Sequence, residues 1–94
     1  MDRRLLTPAA LDAALASLPG WHVRGGKLLR EFRFADFGQA FAFMTRVAAA
    51  AERLDHHPDW SNAYNRVTVA LVTHDAGGLT ALDVELARQI SELE

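Results

Sequence analysis

Three of the four histidines crowd one part of the chain: His56 and His57 stand directly before Pro58, and His74 follows a run of β-forming residues. An imidazole ionises near pH ~6.5, so it can donate or accept a proton at neutral pH, and a positioned transfer is worth roughly 10²–10⁴-fold in rate. Two such groups can serve opposite sides of one elimination. Taken singly, each is also what a helix end commonly carries, because positive charge suits the C-terminal end of the dipole. Glu52 lies one helical turn before His56. It can orient a histidine, bind the donor edge of a ligand, or stand as a solvated carboxylate. Asp83 reads first as a helix cap and second as a contact for His74. Trp60 and Tyr64 are aromatics of a predicted hairpin, and strand aromatics more often join a core. Thr73 and Pro58 would shape the site through the backbone, and His22 is assigned to the fold.

The same imidazoles with Glu52 or Asp83 could ligate zinc or iron. Adjacent helical residues point about 100° apart, unlike the i, i+4 pair of helical zinc sites, so neither a metal nor another cofactor is expected. The absence of cysteine removes thiolate chemistry and disulfides. A net charge of −2 with scattered basic residues disfavours nucleic acid. No apolar run approaches the roughly 18 residues of a membrane span, and the N-terminus reads as a folded segment, so a cytoplasmic protein is expected.

These residues need a scaffold. At 94 residues one domain, 1–94, is expected. So small a domain leaves apolar surface that favours a homo-oligomer. Thr7 and Pro8 open a helix carrying Leu11, Leu15 and Leu18, which Pro19 and Gly20 end. Trp21 to Arg24 and Lys27 to Phe34 flank Gly25-Gly26 as a hairpin. Asp36, with Gln39 as reciprocal partner, caps a long helix whose apolar stripe reads Phe37, Phe41, Met44, Ala48 and Ala51; it runs to Leu54, and Pro58 blocks its continuation. Trp60 to Tyr64 and Val67 to His74 form a second hairpin turning at Asn65-Arg66, its last strand apolar on both faces and hence central or covered by a partner. Thr80 and Asp83 make a capping box for a helix carrying Leu82, Leu86, Ile90 and Leu93. The order α-β-β-α-β-β-α predicts an α+β fold, a four-stranded antiparallel sheet with helices on one face.

From Glu52 the spacing to His56, His57, Pro58, Tyr64, His74 and Asp83 is four, one, one, six, ten and nine. The segment ERLDHHPDWSNAYNRVTVALVTHDAGGLTALD resembles the signature of the pterin-4a-carbinolamine dehydratase family, with no departure at a motif position. The resemblance implies a hydro-lyase that removes water from 4a-hydroxytetrahydropterin in tetrahydrobiopterin recycling, without metal or redox cofactor. It implies His56 and His74 as acid/base residues and His57 as the group placing the substrate. Glu52, Pro58, Trp60, Tyr64, Thr73 and Asp83 would surround the pterin. It further implies a homodimer or homotetramer and coupling to an aromatic amino-acid hydroxylase. The alternative is a non-catalytic dimerisation or assembly module, since relatives of that family serve as partners of other proteins.

Overall fold

The computed structural model describes residues 2–94. Its elements are α1 (Pro8–Ala16), β1 (His22–Arg24), β2 (Lys27–Arg33), α2 (Phe37–Leu54), β3 (Asp59–Ala63), β4 (Arg66–Leu71), a single 3-10 turn (His74–Ala76) and α3 (Ala81–Leu93). The strands form one antiparallel sheet in the order β1-β2-β4-β3, the expected α+β architecture with β4 inside. Among the described residues no helix is long and apolar enough to cross a membrane.

Alternation decides which sheet face meets the helices. Leu28, Phe32, Val67, Val69 and Leu71 share one face by register and are buried, and α2 and α3 cover them with Phe43, Val47, Leu86 and Ile90. The opposite face carries Leu29, Glu31, Thr68 and Ala70, with Glu31 between Arg33 and Arg66.

Several local expectations need correction. In α2 the buried residues are Ala40, Phe43, Val47, Ala50 and Ala51, while Phe37 and Phe41 are exposed. This helix has two apolar stripes of the same 3.6-residue period, and periodicity cannot say which one the sheet covers. The second hairpin turns at Tyr64-Asn65, one residue earlier than expected: Tyr64 takes a left-handed conformation (φ 53) and the Asn62 amide donates to the carbonyls of Tyr64 and Arg66. β4 stops at Leu71, so His74 lies outside the strand. Asp36 caps α2 as expected, but Gln39 accepts from Ala35 N–H and not from Asp36.

Candidate active site

Antiparallel pairing brings the start of β3 and the end of β4 to the same end of the sheet, and α2 delivers its C-terminus there. Asp55 ends α2 in the left-handed region (φ 50), a conformation Asp tolerates better than most residues. The reversal lets His56 N–H donate to Ala51 C=O at 3.0 Å and sends the imidazole inward, where its side chain is 8% exposed. His57, the next residue, remains exposed.

His74 arrives from the other side. Thr73 and Gly78 form an isolated bridge, and Gly77, at φ 76, ends the 3-10 turn by donating to Thr73 and His74 carbonyls. His74 thus projects from a closed loop of six residues, Thr73 to Gly78, whose base is fixed and whose crown is exposed.

The buried end of the site is a polar network. Asp83 is fully buried and accepts from His56 Nε2 at 2.6 Å, from Thr73 Oγ1 at 2.8 Å and from Thr80 N–H at 2.9 Å. The Thr73 proton goes to Asp83, so across the 2.7 Å contact between the two hydroxyls Thr80 Oγ1 donates to Thr73 Oγ1, while also accepting from Leu82 N–H. Because a carboxylate only accepts, His56 donates from Nε2, leaving Nδ1 as its uncommitted nitrogen. Among the described residues no buried side-chain nitrogen or oxygen lacks a partner.

The other two histidines repeat the arrangement. His57 Nε2 lies 2.6 Å from Glu52 Oε1, and His74 Nε2 lies 3.3 Å from Asp59 Oδ2. Each of the three imidazoles therefore presents Nε2 to its own carboxylate. Asp59 also accepts from Lys27 Nζ at 2.9 Å. That hydrogen bond, ahead of the partial burial that opposes it and the added charges of Lys27 and His74, holds the Asp59 carboxyl below the usual carboxylate range. His56, His57 and His74 line one open cleft of about 220 Å³ with Arg3, Asp55, Val72 and Asp75. Larger hollows lie against α1 and between α2 and α3, but no histidine lines either, so size does not mark the chemistry here. Among the described residues no group of three metal-ligating side chains is arranged around a common point.

The remaining candidates are placed unevenly. Asp83 caps α3 as expected, and its histidine contact is His56, not His74. Glu52 meets His57 and not His56. Pro58 and Thr73 flank the cleft-forming residues in the chain. Trp60 pairs with Val69, shares the helix-covered face and packs on the core. Tyr64 stands at the far end of β3, five residues from Asp59, or roughly 16 Å at ~3.3 Å per residue. Within one chain it is not brought to the histidines. Asp59, Lys27, Arg3 and Asp75 were not legible as site residues; only the position of Asp59, directly after His-His-Pro, offered a signal.

Comparison with known proteins gives this geometry a family. The family model described as pterin 4 alpha carbinolamine dehydratase matches residues 4–93. The chain belongs to that family. Dehydratase relatives, so named provisionally, occur in Mesorhizobium japonicum, at 55% identity over 97% of this chain and 95% of the relative, and in Synechococcus sp., at 54% over 95% and 96%. A crystal structure of a transcriptional coactivator/pterin dehydratase from Brucella melitensis superposes with TM-score 0.92 at 47% identity, covering 96% of this chain and 98% of that one. A pterin dehydratase-like protein identified as a RuBisCO assembly factor shares the fold at TM-score 0.64 and 22% identity, over 78% of this chain and 84% of that one. The first three carry the pterin dehydratase family name over nearly the whole chain; the last speaks to fold alone.

Proposed function

We propose that this chain dehydrates 4a-hydroxytetrahydropterin by histidine acid/base catalysis. In that reaction the C4a–O bond breaks, the N5–H bond breaks, and a C4a=N5 double bond forms; the products are a quinonoid dihydropterin and water. One imidazole donates its proton to the leaving hydroxyl while another accepts the N5 proton, so no net proton is consumed. His56 and His74, from opposite sides of the cleft, take these two roles, and His57 places the hydroxyl. With Nε2 turned to a carboxylate in each case, Nδ1 is the remaining nitrogen: the base accepts there with its lone pair, and the acid acts as the imidazolium, which carries a proton on Nδ1 as well. Glu52 and Asp83 orient His57 and His56, and Pro58 and Thr73 fix the backbone around them. The reaction needs no metal or redox partner. The observation that carries this reading is the convergence of three imidazoles, two hydrogen-bonded to a carboxylate and the third 3.3 Å from one, on one cleft small enough for a single flat heterocycle.

The test is the dehydration rate of 4a-hydroxytetrahydropterin generated in situ, with His56→Ala and His74→Ala alongside. Acceleration by the wild type and a loss of about tenfold or more in each folded variant supports the reading. A rate equal to the uncatalysed one refutes it.

One observation favours an added protein-binding role. Phe37 and Phe41 stand exposed one turn apart on α2 with ring centroids 5.8 Å apart. An exposed aromatic pair at that spacing suits a helix packing on another helix, and a second copy of this chain is its proposed partner, giving a homodimer or homotetramer.

A further inference from the structure

Two of the three carboxylates that hold imidazoles, Glu52 and Asp83, stand at motif positions. The third, Asp59, does not. Its Oδ2 atom accepts from Lys27 Nζ at 2.9 Å and lies 3.3 Å from His74 Nε2, within ion-pair distance. Lys27 reaches it from β2 across the intervening β4, where Ala70, paired to Asp59 on one side and to Leu29 on the other, presents only a methyl group. Asp59 opens β3, so its backbone is fixed by the ladder, and Lys27 fixes the carboxylate. His74 has no such support of its own: it sits on a three-residue turn, its side chain is mostly exposed, and among the described residues Asp59 is its polar partner.

We propose that Asp59 is a positioning residue for His74, anchored by Lys27, which holds the ring through Nε2 and leaves Nδ1 for the reacting pterin. The inference rests on the dehydratase reading, in which His74 takes part in turnover. Its physical content is orientation: an exposed imidazole samples several rotamers, and a misplacement of about 1 Å at a reacting group can cost as much as 10²-fold. Lys27 acts at one remove by keeping the carboxylate in place and ionised.

Asp59→Ala, Asp59→Glu, Lys27→Met and the Lys27→Met/Asp59→Ala double variant test this, with kcat and KM for 4a-hydroxytetrahydropterin and ¹³C relaxation of the His74 ring in the ligand-free protein. Asp59→Ala should lose about tenfold in kcat with KM within about twofold, and Asp59→Glu should recover most of it. Lys27→Met should lose less, and nothing further once Asp59 is already alanine. The His74 ring should gain nanosecond motion in Asp59→Ala. A kcat within about twofold of wild type in Asp59→Ala, a loss residing in KM alone, or equal ring motion in both proteins overturns the proposal. If the wild type itself shows no turnover, the dehydratase reading falls instead. The relaxation measurement needs no substrate and then decides the positioning claim separately.

Discussion

Nε2 of His56 and Oδ1 of Asp83 lie 2.6 Å apart in the interior, and the other oxygen of the same carboxylate closes the first turn of α3 on Thr80 N–H. Site and scaffold therefore share one carboxylate. The negative charge also sits where the N-terminal dipole of α3 favours it. Thr73 completes the link: its hydroxyl donates to Asp83 while its backbone closes the loop that carries His74.

Removal of this carboxylate should cost both stability and turnover. Asp83→Ala strands three buried donors, at about 2–4 kcal/mol in all, and urea unfolding will read it as a lower midpoint with unchanged slope. Asp83→Asn keeps the volume but turns one acceptor into a donor facing either His56 or Thr73. It should fold better than Asp83→Ala while still losing at least about tenfold in kcat. An Asp83→Asn enzyme with wild-type kcat would mean that the tautomer of His56 has no part in the reaction.

Gly77 offers a test of loop geometry free of packing effects. It sits at φ 76, and a Cβ there would meet nothing within 4 Å, so any penalty comes from the backbone alone. Gly77→Ala should lower stability by about 1 kcal/mol, and Gly77→Asn by less, since Asn tolerates the left-handed region. Thermal unfolding of the two variants checks the order.

Glu52 and His57 provide the contrasting case. Their contact is also 2.6 Å, but both side chains are mostly exposed. Glu52→Gln should change stability by less than about 0.5 kcal/mol while raising KM. A large drop in unfolding midpoint would show that this surface pair supports the fold after all.

Much of this was legible because the signals were local. Thr7-Pro8, Asp36 and the Thr80/Asp83 box announce helix starts through side chains within three residues, and Gly25-Gly26 announces a hairpin. The histidines were legible because three of them share a short stretch. Their carboxylates were not, because pairing is set by tertiary direction: Asp83 answers to His56 through the inward turn at Asp55, and Asp59 reaches His74 only because β3 and β4 pair antiparallel. Phe37 and Phe41 were misplaced for a related reason, since two stripes of equal period compete on α2 and only the packing of the sheet chooses between them.

The acid limb of stability should carry the signature of Asp59. Its carboxyl is depressed in the folded state below the ordinary aspartate value, so its contribution is present above that value and disappears as pH falls through the lower folded value. Urea midpoints of wild type and Asp59→Asn should therefore differ near pH ~7 and converge as pH falls through the depressed carboxyl value, at low salt more than at high. Asp2 is held lower still, at about 2, by Arg4. That pair lies two residues apart and at the surface, so it can persist in the unfolded chain and should add little.

The exposed face of α2 yields the remaining expectation. Phe37 and Phe41 are exposed in the isolated chain, tilted 40° to one another, while Phe43, on the sheet-facing side of the same helix, is wholly buried against Phe32 and Phe34. Phe43 serves the core, and the outer pair does not. Exposed aromatics in a domain this small favour a partner that removes their area from water, at ~25 cal/mol per Å². Light scattering at micromolar concentration should give a mass of two or four chains, and Phe41→Asp should shift it toward the monomer. The unfolding midpoint of the wild type should rise with protein concentration, whereas that of Phe41→Asp should not. A wild type that remains monomeric throughout, with a midpoint independent of concentration, would leave the aromatic pair as ordinary surface and remove the argument for self-association.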